Sequence, residues 1–150
     1  MTNIKSLAIA STGIFVVRDA SGEAQFNDAG APMTITVASP GTKQFQQAKH
    51  NFEKKKSNSV MALMTGKGDE QKGWEDDTRD LAEFLADVTV SFDNFDYEGR
   101  AAGKEAYKAA YSDIEIGHIA DGLNKFLGER GNFKKPAPTA SPSSSGILPG

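Results

Sequence analysis

The stretch Leu81 to Gly99, LAEFLADVTVSFDNFDYEG, constrains the fold more than any other, because a helical pattern turns there into an aromatic-rich extended one. Leu81, Leu85 and Val88 fall on one helical stripe with Phe84 beside them, and Trp74 and Thr78 carry that stripe backwards at spacings of three and four. Beyond Val88 the period becomes two: Val88, Val90 and Phe92, then Phe95 and Tyr97, alternate with Thr, Ser, Asp and Asn. The alternation breaks at Asp93-Asn94, which predicts a turn or bulge at that pair. A helix that feeds directly into a short apolar strand must be a packing junction, and the remaining segments are read around it.

Two more strand patterns lie upstream. Gly13 to Arg18 is β-branched and aromatic and closes on the turn residues Asp19-Ala20-Ser21-Gly22. Met33 to Val37 alternates Met33, Ile35 and Val37 against Thr34 and Thr36, following the turn cluster Asn27-Asp28-Ala29-Gly30 and Pro32. The intervening Glu23 to Phe26 is expected as a short middle strand, giving an antiparallel sheet of two or three strands that needs helices on its apolar face. Four helical segments supply them. The first is predicted from Pro40, with Ser39 as its cap, to about Lys56; Ser57-Asn58-Ser59 interrupts it and Val60 to Met64 resumes it before Gly66. The second runs from Trp74 to Val88, the third over Lys104 to Tyr111, and the last starts at a Ser112-x-x-Glu115 capping box and buries Ile116, Ile119, Ala120, Leu123, Phe126 and Leu127. The fold class is therefore α+β: a small N-terminal antiparallel sheet packed against a mainly helical C-terminal part.

With 150 residues, 38% of them hydrophobic, the chain can build one modest core. The expected organisation is a loose arm over residues 1–12, one globular domain over 13–133, and a disordered tail over 134–150, where four prolines, four serines and two glycines crowd into seventeen residues. The chain has no cysteine, which excludes disulfides, thiolate nucleophiles and cysteine metal sites. The N-terminal apolar run is broken by Ser, Thr and Gly, so a soluble, cytoplasmic protein with no membrane contact is expected.

Charge is segregated. Over the first helix five lysines stand against Glu53, a net of +4, while Lys67 to Asp87 sets eight acids against three bases, a net of −5. These segments are expected to dock laterally, within one molecule or between copies. Lys49, Lys54, Lys55 and Lys56, with Phe45 and Phe52 available for stacking, form a weak basic patch. Because the overall charge is −3 and both aromatics are needed for the helix's narrow apolar stripe, nucleic acid is the disfavoured partner.

Catalytic chemistry has little to stand on. His50 and His118 are the only histidines and have no ligand spacing; Asp93 to Glu98 lacks the spacing and central glycine of a calcium loop; neither Gly66-x-Gly68 nor Gly128-x-x-Gly131 joins a strand to a helix as phosphate loops do. No catalytic residue, metal or cofactor is expected. The aromatics near the junction are instead candidates for a protein contact surface: Trp74, Phe84, Phe92, Phe95 and Tyr97, with Tyr107 and Tyr111 close by.

The order of these features resembles a family. Asp19-x-x-Gly22, then Asn27-Asp28-x-Gly30-x-Pro32-Met33-Thr34-Ile35-Thr36-Val37, then Ser39-Pro40-Gly41 before a Gln- and Lys-rich helix, is followed by the acidic helix entering Leu81-Ala82-x-Phe84-Leu85-Ala86-x-Val88-Thr89-Val90-Ser91-Phe92, and by Tyr111-Ser112-Asp113 before the last helix. Over residues 13–133 this is similar to the tail assembly chaperones of long-tailed bacteriophages, small acidic proteins encoded just upstream of the tape measure. The resemblance implies a non-enzymatic protein of the bacterial host cytoplasm that coats the helical tape measure protein and helps recruit tail tube subunits, with homo-oligomers among its forms. The alternative is a minor structural component of the virion, in its tail or connector. A third class is a nucleic-acid-binding regulator acting through Lys49 to Lys56.

Overall fold

Residues 3–64 and 73–135 are described by the structure, a computed structural model. Strands β1 (Thr12–Val16), β2 (Thr34–Ala38) and β3 (Thr89–Asp93) form one antiparallel sheet in that order, and helices α1 (Lys43–Met64), α2 (Trp74–Val88), α3 (Lys104–Ser112) and α4 (Gly117–Leu127) complete an α+β fold. The strands are mostly N-terminal and the helices follow, as the patterning predicts.

The third strand is not the expected one. Glu23 to Phe26 makes only isolated bridges, Arg18 with Ala24 and Phe26 with Pro32, inside the β1–β2 connection, and Phe26 is exposed. That segment has too few apolar residues to cover a core face. β3, delivered straight from the end of α2, places Phe92 opposite Ile35 and Thr89 opposite Val37. The central strand is therefore β2.

A bulge sits inside β3, earlier than the predicted Asp93-Asn94 break. Thr36 faces Ser91 while the adjacent Val37 faces Thr89, so Val90 is the extra residue; it is 48% exposed whereas Thr89 is 6%. The alternation expected through Val88, Val90 and Phe92 fails at Val90 because Val88 closes the helix and Thr89 takes the inward position. Thr89 is held there by donating its hydroxyl proton to the Leu85 carbonyl at 2.8 Å. Asn94 does turn the chain, with φ of 71°.

Two helix starts also differ from expectation. The Thr42 hydroxyl accepts from the Phe45 amide at 3.2 Å and caps α1, while Ser39 closes a preceding turn by accepting from Gly41. The Ser57 to Ser59 segment does not break α1, which continues to Met64. Ser112 remains in α3 and bonds back to Lys108; Asp113 instead caps the next turn, accepting from the Glu115 amide at 2.9 Å. The predicted stop at Gly66 to Gly68 and nearly all of the tail lie outside the described residues.

The inner sheet face and the helices share one core in which Ile35, Val37, Leu85, Val88, Leu123 and Phe133 are each at most 3% exposed. Phe133 explains a glycine: a Cβ on Gly13 would lie 2.4 Å from the Phe133 ring, so β1 must be bare there for the turn after α4 to fold under it. The arm expected over residues 1–12 exposes Ile4 and Leu7 but is fastened further on, where Ile9 packs on the core and the Ala10 amide donates to the Phe133 carbonyl at 2.7 Å.

Helix α2 is clamped between α1 and α3 by charge. Glu83 accepts from Lys55 on α1 at 2.5 Å and lies 3.9 Å from both Lys104 and Lys108 on α3, while Lys104 reaches Asp87 at 2.7 Å. The Lys55 hydrogen bond, against some burial, lowers the Glu83 carboxyl below its ordinary value. The segregated charges thus meet at least partly within one molecule. Gln44 bonds the Asp87 carbonyl while Lys55 meets Glu83, so α1 and α2 run in opposite directions.

Candidate protein-binding surface

The seven aromatics expected at a contact surface separate into three groups. Phe84, Phe92, Tyr107 and Tyr111 are core residues, between 4% and 8% exposed, and are withdrawn as contact residues. Their periodicity explains it: Phe84 shares the buried face of α2 with Leu85 and Val88, where its ring meets Phe45 and Phe52 at centroid separations of 5.7 and 5.3 Å. Phe92 packs against Phe95, Tyr107 and Tyr111 at 4.7, 4.5 and 5.9 Å.

The two buried tyrosines still place their hydroxyls on partners. Tyr111 lies 2.6 Å from Thr89; since the Thr89 proton is already given to Leu85, the Tyr111 hydroxyl is the donor. Burial pushes the Tyr111 phenol far above its ordinary range, so it stays neutral. Tyr107 donates to the Val90 carbonyl at 3.4 Å, a long bond at the bulge.

Phe95 and Tyr97 are half-buried. With Met33, Phe92, Ile116 and Ile119 they line an apolar pocket of about 190 Å³, with Asp96 as its one charged residue. The Tyr97 hydroxyl donates to the Asp113 carboxylate at 2.9 Å, and that bond raises the phenol above its ordinary value. This ties the loop after β3 to the start of the α4 region. Asp93, read from sequence as a turn residue, instead pins β3 to β2, because its carboxylate accepts from Thr36 at 2.7 Å, Ser91 at 2.8 Å and Thr34 at 3.3 Å. Asp96 does serve a turn, accepting from the Gly99 amide at 3.0 Å.

Only Trp74 is strongly exposed, at 61%. It opens α2 with Glu75, Asp76 and Asp77 in the first turn, where carboxylates suit the helix dipole. Trp74 and Ile114 line one shallow groove of about 290 Å³ with Thr78, Arg79 and Ser112. Sequence reasoning missed Ile114, which is 67% exposed. The available signal was its place between Asp113 and Glu115, off the stripe that begins at Ile116. It also missed Met61 and Met64, 61% and 80% exposed, in the last turn of α1.

The four lysines of the basic patch do not act together. Lys55 turns to Glu83, and Lys54 is exposed on another side of α1. Lys49 and Lys56 border a separate groove of about 440 Å³ between α1 and the end of α4, joined by Arg130, which sequence reasoning did not include. The two histidines are exposed, and His118 reaches the Arg18 carbonyl at 3.1 Å. Among the described residues no three His, Cys, Asp or Glu side chains are placed to share a metal ion, and no helix is long and apolar enough to cross a membrane. The chain matches no family model, no curated protein and no solved structure.

Proposed function

We propose that this chain is a non-enzymatic tail assembly chaperone of a long-tailed bacteriophage, acting in the bacterial host cytoplasm to hold the tape measure protein and help recruit tail tube subunits. The observation that carries the reading is the exposed apolar groove shared by Trp74 and Ile114, with Met61 and Met64 also exposed in the last turn of α1. Burying large apolar side chains is the main driving force of association, and Trp and Met suit a surface that must accept successive turns of a long partner helix. Glu75, Asp77 and Arg79 around it keep the free protein dispersed.

Co-expression with the tape measure protein tests the reading. The wild-type chain is expected to co-purify with it and raise its soluble yield. Trp74→Ala and Ile114→Ala together should weaken capture at least about tenfold, with stability changed by no more than about 0.5 kcal/mol because both side chains are largely in water. Failure of the wild type to co-purify or to improve solubility overturns the assignment; recovery of the chain in purified particles assigns it to the virion instead.

A further inference from the structure

In the pocket of about 190 Å³, buried Ile35, Phe92 and Tyr111 form the floor and half-buried Phe95, Tyr97 and Ile119 form the rim. The loop that supplies Phe95 and Tyr97 is fastened at both ends: the Asn94 side-chain amide donates to the Pro32 carbonyl at 2.7 Å, and the Tyr97 hydroxyl donates to Asp113 at 2.9 Å. These bonds hold the loop off the floor and keep an apolar space beneath it. A cavity of about 150 Å³ with such a lining accepts a benzene-sized guest. The rim is acidic. Asp96 lines the pocket, the Asp113 carboxylate meets the Tyr97 hydroxyl, and the charge of Glu98 adds to that of Asp113 in raising the Tyr97 phenol. Among the described residues none of these three carboxylates enters an ion pair, and neither does Arg100, the one cation that acts on Tyr97.

We propose that this pocket receives one leucine- or phenylalanine-sized side chain of a protein partner, and that a lysine or arginine next to it in the partner pairs with the carboxylates at the rim. Volume sets the first half: about 190 Å³ holds a single ring or branched chain and is too small for a helix. Charge sets the second. Asp96, Glu98 and Asp113 against Arg100 favour a cationic flank and repel an acidic one, so a nucleic acid is excluded by the same charges. A free hydrocarbon would fill the space without using the carboxylates. The pocket adjoins the Trp74 groove through one segment, since Tyr111 and Ile116 line the pocket while Ser112 and Ile114 line the groove. The inference rests on the pocket and the charges around it and needs no identity for the partner held at Trp74.

Nuclear magnetic resonance titration of the full-length chain tests this, with the synthetic peptide acetyl-Gly-Arg-Phe-Lys-Gly-amide as the probe. The peptide should bind with a Kd of about 0.1–1 mM at low salt and more weakly at high salt, with its ring in contact with the Ile116 and Ile119 methyl groups. Alanine in place of the peptide's phenylalanine, or glutamate in place of its arginine and lysine, should weaken binding at least about tenfold. In the protein, Asp96→Asn with Glu98→Gln leaves an oxygen to accept from the Gly99 amide and should weaken binding at least about fivefold. Ile119→Phe puts a ring into the pocket and should abolish it. Circular dichroism checks folding, and if Ile119→Phe unfolds, the contacts of the peptide ring with Ile116 and Ile119 in the wild type locate the site in its place. Absence of binding at about 5 mM peptide overturns the proposal. So does equal binding of the alanine or glutamate peptide, a peptide ring that touches neither isoleucine, or undiminished binding by either folded variant. Phenethylamine that binds as tightly as the peptide assigns the pocket to small amines and overturns the proposal equally.

Discussion

Replacing Phe92 with alanine tests whether the junction after α2 is core or contact surface. Phe92 is 7% exposed, sits opposite Ile35, and packs its ring on Phe95, Tyr107 and Tyr111 at 4.5 to 5.9 Å. Truncating a buried phenylalanine costs about 3–5 kcal/mol, and aromatic pairs contribute about 0.5–1.5 kcal/mol each beyond burial. The side chain already borders a pocket of about 190 Å³, so its neighbours have open space behind the deletion instead of atoms that can move in. We therefore expect a loss in the upper half of the range, about 4 kcal/mol, out of the 5–15 kcal/mol typical of a folded domain. For a urea m-value of about 2 kcal/mol/M the unfolding midpoint should fall by about 2 M. Circular dichroism during urea titration measures it. Phe92→Leu, which keeps most of the volume, should cost only about 1–2 kcal/mol. A loss below about 1 kcal/mol for Phe92→Ala, accompanied by weakened partner capture, would show that the ring faces outwards and that the core assignment is mistaken.

Two further perturbations follow from close contacts. Gly13→Ala places a methyl 2.4 Å from the Phe133 ring and should destabilise by about 1–3 kcal/mol; combining it with Phe133→Leu should cost less than the sum of the two single changes, and additive losses would contradict the proposed clash. For Glu83→Gln the effect depends on pH. Lys55 first, with Lys108 and Lys104, holds the folded-state carboxyl below its ordinary value of 4.5, so its contribution is present above that pH and is lost as the pH falls through the lower folded value. Wild type should therefore exceed Glu83→Gln in urea midpoint at neutral pH and converge with it as the pH drops below 4.5; a gap that persists in acid would show that packing, not charge, carries it.

What the sequence determined by itself was local. Alternation in Met33 to Val37 and beyond Val88, the stripe of Leu81, Leu85 and Val88, and turn residues such as Asp19 and Gly22 are read from neighbours a few positions apart, and these gave the α+β class, the segments of all three strands and the full span of α2. Even local reading failed where adjacent residues compete for one role, as when Thr42 rather than Ser39 capped α1. Only the tertiary structure decided that β3 rather than Glu23 to Phe26 completes the sheet, that Val90 turns outwards while Thr89 turns in, and that Phe84, Phe92, Tyr107 and Tyr111 are buried while Trp74 and Ile114 are not. It also decided that Arg130 joins Lys49 and Lys56 at one groove while Lys55, within the same run of lysines, faces α2. The physical reason is that an aromatic or a lysine has no intrinsic side to face. Its burial and its partner are set by whichever distant segment packs against it, and local periodicity carries no record of that segment.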